Sequence, residues 1–122
     1  SYYLNEYKIN RHTSFRSLSA GENKRAQIVA ALASSPQLIM VDEITAVLDI
    51  VGRQKFMIHL NELCKKGCTV LMATNILENI EHYTSHLLLL NKGRVSYFGE
   101  MNAFVKTNML FTEQVANILQ AA

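Results

Sequence analysis

The first seventeen residues, SYYLNEYKINRHTSFRS, sustain no hydrophobic period and predict a short helix or loop. From Ser19 the pattern turns helical. Ile28, Val29 and Leu32 fall on one face, and Ser35-Pro36 ends the run. "QLIMVD" then stays apolar without alternation, the pattern of a strand covered on both faces in a parallel sheet. Residues 50–66 return to helical spacing, with Phe56, Leu60, Leu63 and Cys64 assigned to the core. Lys65-Lys66-Gly67 stops that helix, with cations in the last turn and a glycine beyond it. "CTVLMAT" reads as a second buried strand, residues 76–83 as a short helix, and "HLLLLN" as a third strand. Lys92-Gly93 turns the chain into "RVSYF", which predicts a hairpin. Residues 100–120 form one or two amphipathic helices, burying Phe104, Leu110, Phe111, Val115, Ile118 and Leu119.

Alternating helices and strands predict an α/β fold: a partial parallel sheet with flanking helices and a C-terminal strand hairpin. Ligands of such sheets sit beyond the carboxyl ends of the strands. Asp42, Glu43 and Asn75 occupy those ends, so chemistry is expected there.

Composition narrows the class without naming a function. The 122 residues are 49% apolar with a single proline, a globular domain rather than a low-complexity tract. Twelve basic and ten acidic residues are interspersed, giving +2 with no basic block, so no nucleic-acid partner is expected. The apolar run Leu87–Leu90 is far too short to span a bilayer, and no secretory signal is evident; a cytoplasmic location is expected. The chain opens on Ser1 without a methionine, as a processed chain or a piece of a longer one would. Cys64 and Cys68, with His59 nearby, lack a second ligand pair and read as reduced thiols. His82 and His86 are four apart, but Thr84 and Ser85 end the helix between them, which argues against a metal pair.

Four short motifs carry candidate chemistry. In "SLSAGENKR", Ser19 and Glu22 have capping-box spacing. The same turn, with the Gly21 N–H, is suited to hold a phosphate at a helix N-terminus. In "LIMVDE", Asp42 could hold Mg²⁺ through water and Glu43 could polarise an attacking water. A strand ending in a polar turn is the plainer reading. Asp49 of "TAVLD" suits a helix cap, and Asn75 of "MATN" is a polar residue just past the second strand.

In this order, within some sixty residues, the motifs resemble the second half of an ABC-type ATPase domain. "LSAGE" is similar to the signature motif LSGGQ, and "LIMVDE" to the Walker B strand with its glutamate. "ITAVLD" resembles the D-loop, "MATN" stands where the switch histidine lies, and "LLLLNKGRVSYFGE" resembles the hairpin that follows. The resemblance covers about Leu18 to Phe104. It implies an incomplete P-loop NTPase in which residues 1–17 end a helical subdomain, 18–106 form the C-terminal half of the ATPase domain and 107–122 extend it.

The resemblance further implies an ATP and Mg²⁺ site shared by two domains facing head to tail. Ser19, Ala20, Gly21 and Glu22 would reach a nucleotide held mainly by the partner domain. Asp42 would support the metal, Glu43 would activate water, Asn75 would lie near the γ-phosphate, and Asp49 would signal across the interface. Four positions depart from the family pattern: Ala20 for glycine, Glu22 for glutamine, Ile44 for proline and Asn75 for histidine. Asparagine hydrogen-bonds a phosphate oxygen but carries no charge and relays no proton. None of Gly21, Gly52, Gly67, Gly93 and Gly99 belongs to a G-x-x-x-x-G-K-[ST] loop. A missing Walker A half is therefore an expected partner, as is a second ABC ATPase domain, and the chain alone is expected to be inactive. The expected role is powering a membrane transporter from its inner face, in contact with a transmembrane subunit. The alternatives are a soluble, non-transporter ABC ATPase in a regulatory complex, and a non-hydrolysing nucleotide-gated module. Ile44 and Arg53 suit the soluble type.

Overall fold

A computed structural model describes residues 2–43, 47–106 and 108–121. Ile44, Thr45 and Ala46 of the D-loop segment lie outside the described residues. The chain divides into two compact units, Ser1–Asn75 and Ile76–Ala122.

The first unit holds α1 (Tyr2–Glu6), α2 (Ala20–Ala33), β1 (Leu38–Asp42), α3 (Ile50–Lys65) and β2 (Thr69–Ala73), with a 3₁₀ turn at Phe15–Ser17. Strands β1 and β2 run parallel, in register from Leu38 opposite Thr69 to Asp42 opposite Ala73. Ser19 caps α2, its hydroxyl accepting the Glu22 N–H at 3.2 Å. Helix α2 then buries Ala26, Val29 and Leu32. Helix α3 presents Phe56, His59, Leu60 and Leu63 to the same core, which Ile39 of β1 joins.

The stop at Lys65-Lys66-Gly67 takes the form its sequence predicts. Gly67 has φ +98°, in the left-handed region. Its N–H reaches Cys64 O at 3.0 Å and the Cys68 N–H reaches Leu63 O at 3.0 Å, closing the last turn as a Schellman motif. This reversal corrects one core assignment. Cys64 faces out, and Cys68, delivered beyond the glycine, is buried in its place.

A buried polar pair ties α1 to α3. Tyr7 Oη and His59 Nδ1 lie 2.9 Å apart, with the Tyr2 and Tyr3 rings edge-on to the imidazole. Burial, with lesser help from Tyr3, Glu6 and Tyr2, pushes the Tyr7 phenol well above its ordinary value. The phenol therefore keeps its proton at neutral pH. Glu6 and Lys55 add an ion pair at 3.0 Å beside it.

The second unit pairs β3 (His86–Asn91) with β4 (Arg94–Glu100) in an antiparallel hairpin, followed by α4 (Met101–Phe104) and α5 (Phe111–Gln120). Residues 76–83 contribute a 3₁₀ turn at Ile80–His82 rather than an α-helix. Lys92 and Gly93, at φ +49° and +75°, make the two-residue turn that the right-handed strand twist favours. Register slips between Leu89 and Leu90, so Ser96 is the extra residue of a bulge. Leu87 and Leu89 pack with Ile80, Met101, Phe104, Phe111 and Val115. Gln114, buried among them, donates to Met109 O at 3.0 Å and accepts the Lys106 N–H at 3.2 Å, which fastens the loop entering α5.

The strand at HLLLLN pairs antiparallel with β4 in a sheet of its own, the C-terminal hairpin that the sequence predicts. Two further expectations need correction. The strand at LIMVD is covered on one face only: Ile39 is buried, whereas Leu38 is 54% and Met40 71% exposed. Leu110 and Leu119, assigned to the core, lie exposed. An apolar run records that a strand expects cover on both faces, without saying whether this chain supplies it.

Candidate functional site

The chemistry-bearing residues of the first unit gather at two helix starts and at the carboxyl end of the parallel pair. At the head of α2, Ala20 and Gly21 begin the helix with Glu22 in its first turn. The opening N–H groups of a helix lack intrahelical partners, and the dipole there favours an anion. Ser19 and Ala20 are exposed, Gly21 and Glu22 partly so. The Ser19 cap is thus present in the geometry, without the return bond from the Glu22 side chain to the Ser19 N–H among the described hydrogen bonds.

Sequence reasoning missed Arg25. Its guanidinium folds back over this turn, an Nη lying 3.6 Å from where a Cβ on Gly21 would stand. Its Nε is buried with no hydrogen-bond partner among the described residues. The four-residue spacing from Gly21, which stacks the two positions on one helix face, was the available signal.

At the end of β1, Asp42 and Glu43 are both exposed, and the backbone carries Glu43 into the left-handed region at φ +40°. That conformation is uncommon for a residue with a Cβ. Two contacts tie it to the end of β2. The Glu43 N–H donates to Ala73 O at 3.1 Å. Glu43 Oε2 accepts the Asn75 N–H at 3.5 Å. Glu43 and Asn75 are therefore neighbours, as adjacency of the two strands implies, through the main chain of Asn75. Asp49, at the head of α3, accepts the Gly52 N–H at 2.7 Å through Oδ1, a short, well-formed cap.

A cleft of about 400 Å³ runs between α2 and the sheet. Lys24 and Gln27 line it from α2, Met40, Asp42 and Glu43 from β1, and Phe56 from α3. Lys24 is the second residue sequence reasoning missed, a cation lining the same cleft as both carboxylates. The cleft meets the second turn of α2 and leaves Ser19 to Glu22 off its walls. The residues named from sequence thus form one pair of carboxylates beside Asn75, and a separate helix-start turn.

Comparison with known proteins supplies the context for these features. Over 99 residues the chain is 31% identical to the energy-coupling factor transporter ATP-binding protein EcfA2 of Streptococcus agalactiae, covering 80% of this chain and 35% of that one. Over 96 residues it is 34% identical to the protein of the same name from Mesomycoplasma hyopneumoniae, covering 79% and 32%. An uncharacterized ABC transporter ATP-binding protein of Methanocaldococcus jannaschii matches at 27% over 118 residues, covering 95% and 45%. The chain belongs to the ABC ATPase family.

It corresponds to the C-terminal half of that family's nucleotide-binding domain. Solved folds agree. An ATP-binding subunit of an ABC transporter superposes with a TM-score of 0.81 at 24% identity, over 95% of this chain and 51% of its own. The ADP conformation of an ATP-binding cassette of an ABC transporter gives 0.61 at 25% identity, over 98% and 44%. The chain spans about a third to a half of the length of these ABC ATPase relatives. No family model matches it. No helix among the described residues is long and apolar enough to cross a membrane.

Proposed function

We propose that this chain supplies the signature turn and the Walker B carboxylates to an ATP site completed by other polypeptide, and that the assembly hydrolyses ATP to drive a membrane transporter. The observation that supports this most is the pair of Asp42 and Glu43 at the end of a parallel strand, with Glu43 linked to the adjacent Asn75 loop. The relatives named above are transporter ATP-binding proteins.

In this reading residues 1–17 close a helical subdomain, 18–106 form the ATPase half and 107–122 a C-terminal extension. Asp42 holds Mg²⁺ and Glu43 orients the attacking water as a general base. Both carboxylates are exposed, with Glu43 Oε2 accepting the Asn75 N–H. Ser19, Ala20, Gly21 and Glu22 face the γ-phosphate of a nucleotide held by a second ABC ATPase domain, with Asp49 at the interface between the two. Asn75 contacts phosphate oxygen without carrying charge. The nucleotide's β- and γ-phosphates require the Walker A half, the partner this sequence calls for. The assembly works at the inner face of the membrane beside a transmembrane subunit.

The test joins the chain to a Walker A half and measures hydrolysis. Glu43→Gln is expected to lower the rate by ~100-fold or more while leaving Mg-ATP binding within threefold. An unchanged rate would sink the catalytic assignment. By calorimetry the 122-residue chain alone is expected to bind no Mg-ATP. Binding that Asp42→Ala abolishes would show a complete phosphate cradle in this chain, and the half-site reading would fall.

A further inference from the structure

The Tyr7–His59 contact lies outside the candidate site, and much of α1 depends on it. Helix α1 is five residues long and has no buried residue of its own. Helices that short do not stand alone in water, so α1 keeps its form by docking. Its end is also irregular. The Ile9 N–H reaches Leu4 O at 2.8 Å and the Lys8 N–H reaches Asn5 O at 3.1 Å, a Schellman stop. Lys8 fills the left-handed position of that stop at φ +55°, the place Gly67 takes after α3. A residue with a Cβ keeps that conformation only where its surroundings impose it. Here the buried anchors on either side of Lys8 are Tyr7 and Ile9.

His59 is the exacting member of this dock. The Tyr7 phenol keeps its proton, and among the described hydrogen bonds His59 Nδ1 is its one partner. The hydrogen-bond network therefore assigns Oη as donor and a neutral ring with its hydrogen on Nε2. A second proton would occupy Nδ1 and set an N–H against an O–H. Oη accepts it only by turning its own hydrogen away from any described acceptor. The cation would also stand buried, at 5% exposure, with Tyr2, Tyr3 and Tyr7 as ring neighbours. Glu6, the carboxylate of α1, is already paired with Lys55, one turn back from His59, at 3.0 Å. From α2, β1 and β2 this core receives Ala26, Val29, Leu32, Ile39 and Val70, none of which titrates. Cys68 does, and its thiol is turned to Thr69 O at 3.5 Å.

We propose that the Tyr7–His59 contact is a proton-operated clasp on α1. With the ring neutral it holds residues 2–9 against α3. A second proton on His59 opens it, and α1 leaves while α2, α3 and the parallel pair stay folded. Acid favours the open form because there the ring takes its proton in water, with no donor facing it. Helix α1 also lies against α2, whose first turn carries Glu22 beside the Ser19 cap. The clasp thus decides whether the signature helix is braced on that side. It stands independently of the ATPase reading.

The experiment follows imidazole shifts and amide exchange of the 122-residue chain by NMR from about pH 8 to about pH 5, with exchange corrected for its intrinsic pH dependence. The Tyr7, Lys8 and Ile9 amides, all hydrogen-bonded in the docked form, report on α1. They are expected to lose protection at least ~5-fold in step with the His59 ring titration, while β1, β2 and α3 change less than ~3-fold. His59→Asn places a non-titrating acceptor where Nδ1 stood and should keep α1 docked across the whole range. Tyr7→Phe should leave α1 poorly protected throughout, with its pH response lost. Glu6→Gln should leave the response in place. Protection that ignores the His59 titration overturns the proposal. So does a response that survives in His59→Asn, or one that vanishes in Glu6→Gln and so belongs to the Glu6–Lys55 pair. Opening of the whole first unit together with α1 also overturns it, since acid would then act on the fold rather than on a clasp. If His59→Asn does not fold, the parent titration and Tyr7→Phe decide. None of these readouts involves nucleotide, so failure here leaves the ATPase reading standing, and an unchanged rate in Glu43→Gln leaves the clasp standing.

Discussion

The two units solve the problem of a small core in different ways. In the first, helices from distant parts of the chain close over a parallel pair, and a buried Tyr7–His59 contact spans 52 residues. In the second, a hairpin folds onto the helices that directly follow it, with Tyr97, Phe104 and Phe111 in successive ring contact at 4.7 and 5.8 Å. Parallel strands need a crossover, here α3, and their carboxyl ends open together on one side. A hairpin needs only a two-residue turn and makes no such opening. The difference teaches why the candidate chemistry lies in the first unit: one topology produces a crevice that is mostly apolar but carries Lys24, Asp42 and Glu43 on its walls, the other a ribbon with two faces.

The sharpest way to break the comparison is to damage one core and watch the other. Phe56→Ala in the first unit and Phe111→Ala in the second are each expected to remove ~3–5 kcal/mol, because both rings are almost fully buried. Denaturation followed by probes in each unit should show Phe56→Ala lowering the first unit's midpoint more than the second's, and Phe111→Ala doing the reverse. Equal shifts of both probes would show one cooperative unit.

Next in size is the polar contact special to the first unit. Tyr7→Phe strands His59 Nδ1 without its partner and is expected to cost ~1–2 kcal/mol, read from the urea midpoint. The same phenol gives a pH signature. Its value is raised in the folded state above the ordinary 10.0, so its stabilisation is complete below pH 10 and declines as pH rises beyond it. In the unfolded chain the phenol ionises first, which favours unfolding. The alkaline fall in stability should be shallower in Tyr7→Phe; an identical slope would show that other groups cause it.

Smaller effects compare the turns. Gly67→Ala in the first unit and Gly93→Ala in the second meet no atom within 4 Å, so only backbone strain at positive φ counts. Each is expected to destabilise by ~1 kcal/mol. A much larger loss at either glycine would mean that the turn sets the register of its unit as well as its local conformation. Asp49→Ala, which removes a 2.7 Å cap, belongs in the same range at ~1 kcal/mol by thermal melting.

Much of the fold was legible because its signals are local. Ser19, Asp49 and Gly67 were readable as caps and stops, since each acts within four residues of itself. The carboxylates Asp42 and Glu43 were legible for a similar reason: they follow an apolar run that had to be a strand. Spacing puts Arg25 on the helix face of Gly21, but only the folded helix shows its guanidinium reaching back over that turn, and nothing local places Lys24 in the cleft. Cys64 was misassigned by helical spacing alone, which ignores the reversal at Gly67 that puts Cys68 in the core.

By itself the sequence determined the elements, their caps and the order of motifs that identifies an ABC ATPase half. Those properties depend on neighbours along the chain, where spacing and side-chain type act directly. The hairpin of HLLLLN with RVSYFGE was also local enough to read, whereas the tertiary structure decided the register of β1 on β2 and the slip between Leu89 and Leu90. It also decided which apolar faces stay bare. Leu110 and Leu119 read as core residues in sequence and stand in solvent in the fold, because hydrophobicity specifies that a face be covered and only three-dimensional packing specifies by what.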